Sequence, residues 1–366
     1  MEKTLTKYDS QQPNSRCYVQ LFLRKNLLKS GLIILRSMSE RKVILSVRDL
    51  TIEFRVPRGI LRAVDSLDLD VYEGEVLGLV GESGCGKSVL AHALLKLVDP
   101  NGYIKSGKVI FDGKKDVYSL SKKELRKYRW KDVAIIFQGA FNSLNPVMKV
   151  FDHMVDTVLA HEKNVSNDEI KKTSIDLLKM VRLDPEGVLS RYPHELSGGM
   201  KQRTVSAMAL LLKPRVLILD EPTSALDILT QKFFIKILKD LRKEFGLTMI
   251  FITHDLATVA EIADRVAVMY SGSVVEVSGV ENIFYRPKHP YTRALLSAIP
   301  SIFGDIDKLK PLPGPIPDPV NPPPGCRFHP RCPYAVQICK EVKPSLEVVE
   351  DMWFVACHRW REIKLD

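Results

Sequence analysis

From Ile44 onward the chain alternates short apolar runs with longer amphipathic ones. "VILSVRDLTIEF" (43–54) and "AVDSLDLDV" (63–71) alternate with a period near two and predict two strands of an antiparallel piece. "EVLGLV" (75–80) is a continuous apolar run ending at Gly81, which predicts a buried strand, and "SVLAHALLKLV" (88–98) behind it predicts a helix. Further on, "RVLILDEP" and "TMIFIT" read as two more buried strands. Between the first and last of these runs the period changes to that of helices. In "SNDEIKKTSIDLLKMVRL", Ser166 and Glu169 form a capping box ahead of an apolar stripe at Ile170, Ile175, Leu178 and Val181, which reads as core. The pattern is that of an α/β fold.

Two stretches break the pattern. "KPLPGPIPDPVNPPPG" contains eight prolines and predicts an extended linker at residues 301–324, beyond which residues 325–366 form a small cysteine-bearing extension. At the other end, "YVQLFLRKNLLKSGLIILRS" could form a basic amphipathic helix on a membrane. "MSERKVILSV", beginning at Met38, looks like an ordinary N-terminus, so residues 1–40 are read instead as an N-terminal extension, either an upstream start or a disordered tail.

Composition narrows the class. With 366 residues and 45% hydrophobic content the chain can bury a substantial core. The formal charge of +10 is concentrated in the first 38 residues, where seven Lys or Arg face two acidic residues. The body is only mildly basic and lacks an aromatic-basic motif, which argues against a nucleic-acid partner. No apolar run reaches the roughly 20 residues needed to cross a bilayer.

The chemistry starts at "GESGCGKS". Gly81, Glu82, Ser83, Gly84, Cys85, Gly86, Lys87 and Ser88 fit the phosphate-loop pattern, with a strand before them and a helix after. Backbone N–H groups there can turn toward phosphate oxygens, Lys87 can reach the β and γ phosphates, and Ser88 can ligate Mg²⁺. A glycine turn capping a helix accounts for the glycines but not for the Lys–Ser pair. Asp220 and Glu221 stand at the polar end of their strand. Asp220 suits a Mg²⁺ site, and Glu221 is the candidate base for the attacking water. Leu196-Ser197-Gly198-Gly199-Met200 opens a helix whose free N–H donors make a second anion site, suited to a nucleotide held by another subunit.

These motifs, with Phe137-Gln138, "SALD" (224–227) and "FITHD" (251–255), resemble the ATP-binding subunits of ABC transporters over about residues 44–280. The resemblance implies an α/β P-loop NTPase (ABC ATPase) core at 44–300, with an antiparallel β portion and an inserted α-helical subdomain at about 139–213. It implies that Gln138 senses Mg²⁺ and the attacking water, that His254 contacts the γ phosphate, and that Asp227 couples two sites across a dimer. By the same token Phe54 would stack on adenine, although on an alternating strand it could be core. The cofactors are then ATP and Mg²⁺, and Ser197, Gly198 and Gly199 close on the partner's ATP. "FNSLNPVMKVFDHMVDTVLAHE" would receive a helix from the transmembrane permease subunits.

"SLNP", "YPHELSGGMKQR" and "RPKHPYTRALLSAIP" are similar to subunits of dipeptide and oligopeptide importers. Gly139-Ala140 departs from the Asp-Pro common there and bears on transmembrane coupling. The resemblance implies a peripheral protein on the cytoplasmic face of the membrane. Its partner would be a second, paralogous ATP-binding subunit, with a homodimer as the alternative, and an extracytoplasmic solute-binding protein would take part indirectly. Oligosaccharide or nickel uptake, or a soluble ABC ATPase outside transport, are the other readings. The reducing cytoplasm makes disulfides unsuitable for Cys326, Cys332, Cys339 and Cys357. Four thiolates suit an iron–sulfur cluster or Zn²⁺, but none of their gaps is the short knuckle of common zinc sites. The segment resembles the C-terminal region of peptide-importer ATPases, where such a set can hold a 4Fe-4S cluster. A 4Fe-4S cluster is therefore expected, with zinc second.

Overall fold

The computed structural model describes residues 41–298 and 314–365, apart from Ala225 and the side chain of Phe141. The expected extension at 1–40, the first half of the linker and Ala225 of "SALD" lie outside the described residues. Two sheets organise the rest. β1 (Val43–Val56), β2 (Gly59–Tyr72), β4 (Gly102–Phe111) and β5 (Lys115–Asp116) form an antiparallel sheet in the order β2-β1-β4-β5. The larger sheet contains β3 (Val76–Val80), β6 (Val133–Ile136), β7 (Val216–Asp220), β8 (Thr248–Ile252), β9 (Arg265–Tyr270), β10 (Ser273–Gly279), β11 (Glu347–Glu350) and β12 (Trp353–Val355). Their order is β11-β12-β10-β9-β3-β8-β7-β6. β9, β3, β8, β7 and β6 run parallel, while β10, β12 and β11 pair antiparallel.

The apolar runs of β3, β7 and β8 are buried along their whole length, because both faces of the sheet are covered. Leu217, Leu219, Met249 and Phe251 pack into the core shared with the helical portion. Their neighbours Val216, Ile218, Ile250 and Ile252 face the other way, into the core closed by the antiparallel sheet. Helices Val150–Leu159, Asn167–Met180 and Pro185–Leu189, with the helix Gly198–Ala209, build the helical portion. Ser166 and Glu169 close the expected capping box, and Ile170, Leu178 and Val181 are fully buried. Leu177 joins them, and Ile175 packs partly exposed against the same core.

Two features differ from the pattern read in the sequence. The helix after the glycine loop spans only Lys87–Ala93, and the chain turns away at Lys96, whose φ is +53°. The carbonyls of Leu94, Leu95 and Lys96 that the shortened helix leaves open are taken by Tyr128 Oη and by Arg129 Nε and Nη2, at 2.8 to 2.9 Å. The extension after the proline run does not stand apart: β12 pairs with β10, so it continues the main sheet. Among the described residues no helix is long and apolar enough to cross a membrane.

A buried ion pair ties the sheets together. Arg265 on β9 holds Glu75, next to β3, at 3.0 Å, and stacks over the Tyr72 ring of β2 at 4.8 Å. Both side chains are excluded from water. Arg265→Met strands a buried carboxylate and should cost about 3–5 kcal/mol in denaturant unfolding. Glu75→Leu combined with it should cost clearly less than the two single losses together, since both charges leave. Strict additivity would show that the pair is not coupled.

Candidate nucleotide-binding site

The parallel strands all point their C-terminal ends to one edge, and the chemically capable residues sit there. β3 ends in the loop Gly81–Ser88, β6 in Gln138, β7 in Asp220 and Glu221, and β8 in His254. In open α/β sheets this edge is where ligands bind. Gly81 and Gly86 adopt φ of +153° and +103°, which lets the loop double back toward the helix start. A Cβ on Gly81 would stand 2.2 Å from the Met269 carbonyl oxygen, and one on Gly86 would stand 2.3 Å from that of Ala63, so the loop is packed against β9 and β2 at glycine distance.

Lys87 lies folded into the loop. Its ammonium donates to the carbonyls of Gly81 (2.9 Å) and Glu82 (3.0 Å) and lies 3.6 Å from Cys85 Sγ. Cys85 is buried, and burial pushes its thiol up from the ordinary range. Ser88 Oγ donates to Asp220 Oδ1 at 3.0 Å, joining the loop to β7. Asp220 is only 1% exposed, and its other oxygen, Oδ2, is buried without a hydrogen-bond partner. Burial pushes the Asp220 carboxyl above the usual carboxylate range. An orphaned carboxylate oxygen beside a serine hydroxyl fits a hard divalent cation or its bound water.

Glu221 adopts a φ of +46°, a conformation rare for a side-chain-bearing residue and one that recurs at functional sites. Its N–H donates to the Ile252 carbonyl at 2.9 Å, which holds the strained turn on β8. Gln138 Nε2 donates to Glu221 Oε2 at 3.4 Å, and His254 Nδ1 lies 3.3 Å from Oε1. The structure thus brings Gln138, Asp220, Glu221, His254, Lys87 and Ser88 into one cluster.

The remaining expected site residues sit elsewhere. Phe54 on β1 is partly buried, opposite Leu61 of β2 and Gly102 of β4, with its ring over Gly102. Ser197 caps the helix Gly198–Ala209 by accepting from the Met200 N–H, and both Ser197 and Gly198 are exposed. Among the described residues no hydrogen bond joins 197–199 to the glycine loop. Asp227 caps Ile228–Phe245, accepting from the N–H groups of Leu229 and Thr230 and from Thr230 Oγ1. Ile228 and Leu229 beside it are 71% and 79% exposed.

Cys326, Cys332, Cys339 and Cys357 line one small cavity together with His289, His329 and His358. Burial, reinforced by the neighbouring thiols, pushes Cys326, Cys332 and Cys357 up to about 11. Among the described residues no three His, Cys, Asp or Glu side chains stand in a metal-ligating arrangement. The four thiols expected to hold a cluster are therefore neighbours without forming a closed ligand shell.

Three residues outside the expected set reach the site. His92 Nε2 lies 4.0 Å from Asp220 Oδ2. Tyr291 Oη accepts the Glu82 N–H at 2.9 Å, and Arg331 binds both oxygens of the Glu82 carboxylate. Tyr291 lies within "RPKHPYTRALLSAIP", whereas nothing in the sequence around His92 or Arg331 points to this site.

Residues 64–224 match a family described as "ABC transporter", and residues 275–339 match the "Oligopeptide/dipeptide transporter, C-terminal region". The chain is 50% identical over 320 residues to the dipeptide transport ATP-binding protein DppD of Caldanaerobacter subterraneus, covering 87% of this chain and 98% of that one. It is 44% identical over 315 residues to the oligopeptide transport ATP-binding protein OppD of Bacillus subtilis, covering 85% and 87%. Among solved structures, the dimeric bacterial ABC transporter cassette MJ0796 superposes with a TM-score of 0.58 at 28% identity, covering 65% of this chain and 99% of that one. The same cassette is also known in a post-hydrolysis state bound to ADP and Pi.

The Gly81 turn gives a direct test of the loop geometry. Gly81→Ala places a methyl group against a carbonyl oxygen that belongs to a sheet strand and cannot retreat. It should destabilise the chain by about 2 kcal/mol or more in denaturant unfolding. Wild-type stability in that variant would mean that the loop is not packed as described.

Proposed function

The chain belongs to the ABC transporter ATP-binding proteins, ATPases by family, and we propose that it powers the import of di- or oligopeptides. The observation that carries the reading is the convergence of the glycine loop, Asp220, Glu221, Gln138 and His254 at the C-terminal ends of four adjacent parallel strands. Peptide as cargo rests on the relatives and on the match of the C-terminal region.

In this reading the N–H groups of the glycine loop hold the phosphates of ATP, and Lys87 leaves its carbonyl partners to reach the β and γ phosphates. Phe54 stacks on the adenine. Ser88, Asp220 and Gln138 hold Mg²⁺, which when bound offsets the charge of the triphosphate. Glu221 takes the proton of the attacking water, while Gln138 and His254 fix its carboxylate and the water's position. Ser197 and Gly198 are turned to solvent and, with Gly199, would close on the nucleotide of a second ATP-binding subunit. The exposed Ile228 and Leu229 beside Asp227 suit the same contact. The second subunit is a paralogue or another copy of this chain. The pair docks peripherally on the permease subunits at the cytoplasmic face.

Glu221→Gln keeps the shape of the side chain but cannot accept the proton. With the permease and the second ATP-binding subunit assembled, it should bind ATP normally and lose turnover by about 10²–10⁴-fold, together with peptide uptake. Undiminished hydrolysis in that assembly would remove Glu221 from its role.

The cysteines are proposed to hold a 4Fe-4S cluster, with zinc as the competing occupant. Supporting this, four thiols face one cavity, and three are kept protonated by burial and by one another. A bound cationic centre held by these thiolates would take the place of their protons, released to solvent, and relieve the repulsion. A cluster there would supply a cross-link between distant parts of the extension, with no part in hydrolysis. Protein purified without oxygen should be brown, and Cys332→Ser should bleach it. A colourless preparation with one zinc per chain would assign the cavity to zinc.

A further inference from the structure

Glu82 places a carboxylate beside the phosphate site. A carboxylate in the loop repels an incoming triphosphate unless something neutralises it. Here Arg331 does so. Its Nη1 donates to Glu82 Oε2 at 2.7 Å and its Nη2 to Oε1 at 3.0 Å, a two-pronged bridge from the C-terminal extension to the loop. Arg331 is buried, and the bridge raises its affinity for protons, so it stays charged. Its Nη1 also lies 3.3 Å from Tyr270 Oη.

The backbone of Glu82 is held as well. Its N–H donates to Tyr291 Oη at 2.9 Å, and its carbonyl accepts from Lys87 Nζ. Tyr291, Tyr270 and Phe328 pack ring against ring, with centroids 4.5 to 5.4 Å apart, and Tyr291 and Phe328 are buried. Arg331 and Tyr291 therefore grip the loop residue whose carbonyl parks the phosphate-binding lysine.

We propose that the C-terminal extension completes the nucleotide site: Arg331 neutralises Glu82, and Arg331 with Tyr291 positions the loop for ATP. Both are positioning residues, acting on ATP through Glu82. The inference rests on reading residues 81–88 as the ATP loop, which ATP binding by the wild-type chain tests separately.

The test is equilibrium binding of Mg²⁺-ATP to the full chain. Arg331→Met should weaken binding about tenfold. The loss should shrink as salt screens the partly exposed charge of Glu82. Adding Glu82→Gln to Arg331→Met should restore most of the affinity, because the repelling charge is gone; a merely structural arginine would show the same loss in either background. Tyr291→Phe, which removes one oxygen from a buried ring, should weaken binding about threefold. Should Arg331→Met not fold, Arg331→Lys carries the same comparison. One ammonium cannot bind both carboxylate oxygens as the guanidinium does, so a loss of about threefold that disappears with Glu82→Gln is expected. Affinity unmoved by the Arg331 variants, or a loss indifferent to residue 82, overturns the proposal while leaving the ATP site in place. A wild-type chain that binds no ATP sinks the loop assignment and the proposal together.

Discussion

The register of β7 against β8 is the constraint on which the catalytic cluster depends. Asp220 stands opposite Ile252, and the next backbone N–H, that of Glu221, is still bonded to the Ile252 carbonyl although the chain has turned to positive φ. That bond places Asp220 inside, against Ser88, and Glu221 outside, between Gln138 and His254. Side chains alternate across a strand, so a slip of one residue would exchange the two carboxylates: the one with an orphaned oxygen would face solvent and the one held by Gln138 and His254 would be buried. Parallel strands resist such a slip here because both faces are packed. Leu217 and Leu219 lie in one core and Val216 and Ile218 in the other, so a slip would exchange the two sets between differently shaped surroundings.

Much of this could be read in the sequence because its determinants are close together in the chain. The loop Gly81–Ser88 carries its own glycines, lysine and helix start, and the Ser166–Glu169 box carries both halves of its cap. What was illegible depends on residues far apart. Nothing near Glu82 announces Arg331, and nothing near Glu75 announces Arg265. The three residues of β12 are too few to show a period, so its union with β10 was invisible, and the extension read as a separate piece. The helix after the loop is shorter than its pattern for a similar reason: its apolar stripe continues to Val98, but Tyr128 and Arg129, two strands and a helix later, take the carbonyls at which it ends.

The thiol cavity and the ATP loop are joined by covalent neighbours. Arg331, which grips Glu82, precedes Cys332, and Phe328, which packs on Tyr291, lies between Cys326 and Cys332. Order among the four cysteines therefore bears on the direction from which Arg331 reaches the loop. The segment 326–332 is short and turned on itself, with the His329 N–H bonded to the Cys326 carbonyl and the Cys332 N–H to that of His329. A shift at either cysteine cannot be absorbed within so tight a turn without moving the side chains it carries.

Tyr291 is held by a different set of bonds, and these explain why a histidine stands two residues before it. Glu276 of β10 is fully buried and accepts the backbone N–H groups of Lys288 and His289 and the indole N–H of Trp353 on β12. One carboxylate thus fastens both the "KHPYTR" segment and the C-terminal strand to the same sheet edge. His289, buried in turn, is pushed down to about 3 and remains neutral. Only a neutral imidazole can accept a hydrogen bond, and His289 Nδ1 accepts the N–H of Tyr291 at 3.0 Å. From Tyr291 Oη the path passes to the Glu82 N–H. A protonated imidazole at 289 could not cap that helix, and a residue without an acceptor would leave the Tyr291 N–H buried and unpaired. The position of the phosphate loop thus traces back, bond by bond, to a carboxylate on a strand two places removed from β3 in the sheet.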